Sequence, residues 1–243
     1  MTLDFVPLLN TQRELYRLPR GPERFQAYLE AMIDPRTKDI RLPLQAMNPM
    51  GKEHIPALLD ELLKLDADGV CARAVAKAAA DLADVPGEFR AALVVSDDLK
   101  GGWTNRGAAE FSARFENGPM LKRGWLVGLL WTSEPPSART AQEAALTAIY
   151  RAAHIFRHGQ ASTLRERMAQ EGYAMARAAC VSPRLEPDDI GRTRAAIVPH
   201  LDARDRPTVM ACLFGDPAAI ALGYEAKGLS ANAGLALALH EAA

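Results

Sequence analysis

Two adjacent aspartates, Asp97 and Asp98, end the apolar run FRAALVVSDD, and Glu134 ends a second run, RGWLVGLLWTSE. Asp216 closes a third, RPTVMACLFGDP. Open α/β sheets bind ligands beyond the carboxyl ends of their strands, where the loops diverge. If the three runs are parallel strands, these carboxylates meet at one edge. There they could hold a divalent cation through oxygen ligands, or supply a base with a raised pKa. Asp98 and Glu134 are therefore the candidate catalytic residues. The simpler role for an aspartate past a strand is to cap a turn or the next helix, which suits Asp97 and Asp216.

The loop after Asp98 reads LKGGWTNRG. Lys100 offers a point charge and Arg106 a planar fork for a carboxylate or phosphate. Gly101 and Gly102 allow close approach of backbone to ligand, Trp103 can stack as a lid, and Asn105 adds a hydrogen-bonding group. Lys100, Trp103, Asn105 and Arg106 are the candidate ligand-binding residues. The alternative is that Asp97 or Asp98 pairs internally with Lys100 or Arg106. No GxxxxGK[ST], GxSxG or GxGxxG spacing occurs, so neither a P-loop, a nucleophile elbow nor a dinucleotide fingerprint is indicated.

His154 and His158 stand four residues apart, as two ligands of one metal on a helix face would. Glu143, Thr147 and Tyr150 share that face. The position after the first histidine is Ile155, not the glutamate that a zincin helix needs. No metal and no particular cofactor is expected. Cys71, Cys180 and Cys212 are far apart and lie in apolar settings, which points to buried thiols rather than a disulfide framework.

The elements that must position these groups are legible in outline. Residues 1–50 alternate short helical signals with proline, and the segment 34–54 reads as an irregular cover over the core. Residues 55–84 form a helical hairpin: IPALLDELLKL puts Leu58, Leu59, Leu62 and Leu65 together, and an alanine-rich stretch comes directly after. Residues 89–216 hold strands near 90–96, 124–132 and 207–214, with a long helical insertion starting at Ser137. RLPLQAM at 41–47 is a weaker fourth strand, demoted to an edge by Pro43. Residues 217–243 are helical. The strands lack polar alternation, so they should be buried on both faces. The expected fold is α/β or α+β: one mostly helical domain with a small, largely buried three- to four-stranded sheet covered by helices.

With 29 basic and 30 acidic residues, the net charge of -1 gives no global footprint for nucleic acid. No run approaches the length of a membrane span, and the start lacks the pattern of a secretory signal, so a soluble cytoplasmic protein is expected. The functional expectation is a hydrolase or lyase acting on a small anionic metabolite at the strand ends. The alternative is a non-catalytic ligand-binding or interaction protein, self-associating as a homo-oligomer through apolar helix faces. For the histidine pair, elemental analysis of protein made in metal-replete medium should find no stoichiometric transition metal. A zinc in every chain, lost on replacing His154, is the contrary result.

Overall fold

The computed structural model describes residues 1–99 and 104–242. Two compact units are present, Met1–Asn105 with Asn117–Ile149, and Arg106–Glu116 with Tyr150–Ala243. The fold is mostly helical α/β, with a small parallel sheet of three strands.

The first unit holds that sheet. Its strands are β1 (Thr2–Phe5), β2 (Glu88–Ser96) and β3 (Trp125–Trp131), in the order β1-β2-β3 and all parallel. From Ala91 to Ser96 every residue of β2 is buried. This two-faced burial explains the unbroken apolar run in the sequence. Before β2 come α1 (Leu9–Leu15), α2 (Pro22–Met32), α3 (His54–Lys64) and α4 (Ala67–Asp81). Ile55, Leu59 and Leu62 form the buried face of α3, each worth about 1.5–3 kcal/mol on burial. After β2 the unit includes α6 (Gly118–Lys122) and the start of α7 (Ala138–His158). Gly128 of β3 lies so close to α7 that a Cβ there would stand 2.7 Å from the carbonyl carbon of Ala144. Only glycine permits that approach.

β1 pairs with β2 only as far as Phe5 opposite Ala91. The ladder beyond is completed by a side chain. Gln12 of α1, wholly buried, donates through Nε2 to Leu93 O at 3.0 Å and accepts at Oε1 from Val95 N at 2.9 Å. Its amide thus acts as a strand residue would, satisfying two backbone groups that burial would otherwise leave unpaired. The start of α1 is held in turn by Asp68 of α4, whose Oδ2 accepts from Leu9 N at 3.1 Å.

The second unit contains α5 (Arg106–Phe115), the end of α7, α8 (Leu164–Arg177), α9 (Pro187–Ile197), α10 (Arg206–Phe214), α11 (Asp216–Ala221) and α12 (Ala233–Ala242). α8 begins in a full capping box between Thr163 and Glu166.

Three sequence expectations change here. Residues 207–214 lie in α10 and not in a strand, and β1 is the third strand instead. The run is buried from Val209 to Phe214, so it shows no helical periodicity. Its ends carried the better signal: Asp205 caps Thr208 N, Pro207 sits in the first turn, and Gly215 comes next at φ 79°. Residues 41–47 form bends and a turn, just after an isolated bridge between Ile33 and Ile40. Arg106, assigned to a loop, opens α5.

Gln12→Leu strands Leu93 O and Val95 N, so it should lower stability by about 2–4 kcal/mol in chemical denaturation. Asp68 is pushed up to about 6, first by burial and against the pull of its backbone hydrogen bonds. Its folded-state pKa therefore exceeds its unfolded one. The associated stability is complete below about pH 4 and is lost as pH rises to about 6. Asp68→Asn should gain about 1 kcal/mol over the natural chain at neutral pH, allowing for partial exposure, and the difference should vanish near pH 4.

Candidate functional site

Parallel pairing of β2 and β3 sets Ser96 opposite Trp131. Thr132 N then donates to Ser96 O at 3.1 Å, so residues 97–98 and 132–133 leave the sheet side by side. Asp97 is the centre of this edge. It is buried, and four donors converge on it from four segments. Asn48 Nδ2 reaches Oδ2 at 2.9 Å, while His54 Nε2 at 2.8 Å, Thr132 Oγ1 at 3.1 Å and Leu99 N at 3.2 Å reach Oδ1. Burial pushes the Asp97 carboxyl up, but the bonds from His54, Asn48 and Thr132 outweigh it and hold the pKa below the ordinary value. Asp97 is thus an ionised, buried acceptor.

His54 is the first residue of α3, and its side chain is 15% exposed. Because an ionised carboxylate only accepts, Nε2 carries a hydrogen. Nδ1 is buried and has no hydrogen-bond partner among the described residues. The neutral ring therefore keeps a lone pair on the side away from Asp97. The loop before α3 is fastened as firmly. Tyr16 OH donates to Asn48 O at 2.5 Å, Met50 N to Asn48 Oδ1 at 3.0 Å, and the buried Arg24 reaches Pro49 O and Gly51 O.

Asp98 accepts at Oδ1 from Ser133 N (2.9 Å) and lies 3.1 Å from Thr132 Oγ1. Its Oδ2 accepts from Ser133 Oγ at 2.6 Å. Glu134 stands at the same edge and borders a shallow apolar notch with Leu58, Leu62, Leu130, Trp131 and Thr140. The notch encloses only about 10 Å³, far below the ~300 Å³ of the smallest ordinary ligand pockets.

Of the predicted site residues, Asp98 and Glu134 thus share an edge with Asp97. Asp216 does not join them: it lies in the second unit at the start of α11, where it accepts from Lys227 N and Gly228 N. Asn105 is exposed at the end of a first-unit segment. Arg106 belongs to the second unit and donates from Nε to Glu110 at 2.8 Å, so its charge is matched one turn along its own helix. Lys100 and Trp103 lie outside the described residues. Sequence reasoning missed His54, Asn48 and Thr132. For the first two the sequence carries no signal, since Gln45, Lys52 and Glu53 of the stretch 42–56 are as polar as Asn48 and His54.

No family model, curated protein or solved structure matches this chain.

The second unit has its own polar centre. Glu171, which the sequence suggests is on a solvated helix, is wholly buried between Arg151 (2.6 and 2.9 Å) and Arg114. Burial opposes its ionisation, but the two guanidinium groups hold it at about 2. Arg114 also binds Glu110 at 2.9 Å, extending the network to α5. His154 and His158 lie with ring centroids 4.5 Å apart, and His154 also touches Tyr173. Burial, then His158, lowers the His154 pKa. Among the described residues no three His, Cys, Asp or Glu side chains are grouped to hold a metal ion, and no helix is long and apolar enough to cross a membrane.

Proposed function

We propose that the protein is an acid–base enzyme, a hydrolase or lyase for a small metabolite, with His54 as general base and Asp97 as its orienting carboxylate. The observation that carries this is the 2.8 Å contact of His54 Nε2 with a buried, ionised Asp97, beside a buried Nδ1 that has no hydrogen-bond partner among the described residues. A carboxylate on one imidazole nitrogen fixes the tautomer, aims the ring and stabilises the imidazolium formed when the other nitrogen takes a proton. The setting at the carboxyl edge of a parallel sheet supports the same role. Asp98 is less suited to be the base, because both its oxygens already accept hydrogen bonds from residues 132–133. It orders the loop after β3.

A second role has its own support. Four donors on Asp97, drawn from separate segments, are also what a structural clamp would use, and the neighbouring notch is small. That favours a non-catalytic protein whose strand-end loops are simply pinned. Turnover of a panel of small esters, phosphoesters, amides and hydroxy acids, measured with the natural chain and with His54→Gln, separates the two. A catalytic His54 predicts a loss of about 10²–10⁴-fold in turnover with a melting temperature changed little. Turnover that survives His54→Gln, or a natural chain inert to the panel whose His54→Gln variant unfolds readily, assigns the pair to the clamp.

A further inference from the structure

The hydroxyl of Thr132 stands 3.1 Å from Asp97 Oδ1 and 3.1 Å from Asp98 Oδ1. It also accepts from Asp98 N at 3.2 Å. A hydroxyl has one hydrogen, so it serves one carboxylate at a time. The two acceptors differ in what else supports them. Asp98 retains the N–H and Oγ of Ser133 in either case. Asp97 keeps Asn48 at Oδ2 and Leu99 N at Oδ1, but at Oδ1 it also faces His54, the one donor whose charge can change.

We infer that Thr132 is a positioning residue whose hydroxyl alternates between Asp97 and Asp98, and so couples the protonation of His54 to the hydrogen bonding of Asp98. When His54 is an imidazolium, its charge satisfies Asp97 and the hydroxyl turns to Asp98. When His54 is neutral, Asp97 Oδ1 loses the positive charge beside it, and the hydroxyl turns back. No covalent bond changes; one O–H rotates between two acceptors. The low dielectric around Asp97 makes the choice matter, since each charge-assisted bond there is stronger than in water. The coupling rests on the acid–base role of His54 for its use, but not for its existence. It gives the half-buried imidazole a hydrogen-bonded path to Ser133 at the surface.

Other titratable groups face this chain of bonds. Tyr16, just past the end of α1, senses Asp97, and burial raises its phenol so that it stays protonated. Glu53 adjoins His54 at the start of α3, and Glu134 adjoins Ser133. Carboxylates ordinarily titrate well below an imidazole, so an event at the His54 midpoint is separable from theirs.

The test is a pH titration by NMR, tracking the His54 ring and the Asp98 side-chain carboxyl carbon. In the natural chain the Asp98 carbon should show an inflection at the His54 midpoint, and His54→Gln should remove it. Thr132→Val should remove the inflection while His54 still titrates, and Thr132→Ser should restore it. An Asp98 carbon that ignores the His54 midpoint in the natural chain overturns the inference, as does an inflection that survives in Thr132→Val. The natural-chain titration decides the matter even if Thr132→Val fails to fold. Coupling without turnover on the substrate panel would leave the relay standing and remove the catalytic role; turnover without coupling would do the reverse.

Discussion

A carboxylate taken out of water must be matched by donors or lose its charge, and Asp97 shows how much structure that requirement recruits. Its four bonds draw on a proline-containing loop, the first turn of α3, the backbone just past Asp98 and the end of β3. The two carbonyls held by Arg24 and the one held by Tyr16 are a second ring of the same construction. Glu171 meets the same demand in the second unit by a different route, with two guanidinium groups in place of neutral donors. Arginine suits that position because its planar fork saturates both carboxylate oxygens. Replacing either arginine would leave the buried carboxylate held by the other alone among charged groups, and the loss of one partner costs more than the pair itself contributes.

The central strand is the other point on which the first unit turns. β2 is flanked on one side by β3 along its inner length, and on the other by β1 for four residues and then by Gln12. Asp68 fixes the start of the helix that carries Gln12. A partly buried acid with a raised pKa is an expensive anchor at neutral pH, and the gain is placement: Gln12 reaches Leu93 and Val95 only if α1 begins where it does. Packing is equally exacting on the far side, where Gly128 brings β3 against the backbone of α7.

Long runs with a clear pattern were legible in the sequence. The strands at 90–96 and 124–132, the paired helices after residue 54 and the helical stretch that starts at Ser137 all reflect apolar period, turn residues and caps. β1 was not, because four residues carry too little pattern, and α10 was mistaken because an element buried on every side has no polar face to set its period. For the site, Asp97, Asp98 and Glu134 were legible as strand ends whose convergence depended on parallel pairing. His54, Asn48 and Thr132 were not, since their meeting depends on how loops separated by dozens of residues return to one edge. Arg106 shows the converse limit. The residues around it read as a loop, whereas it opens α5 with Glu110 one turn along the same helix.

The glutamine that stands in for a strand has one more effect. A parallel sheet of three strands, one of them only four residues long, would leave the inner half of β2 with open donors and acceptors along its flank. Such a flank is a template on which another extended chain can pair, and proteins that expose one risk association through it. Gln12 occupies those positions with a group that ends there. Its oxygen accepts from Val95, and its amide nitrogen donates to the carbonyls of Leu93 and Leu8, which leaves no hydrogen for a further strand. The sheet is closed to growth on that side by a single side chain.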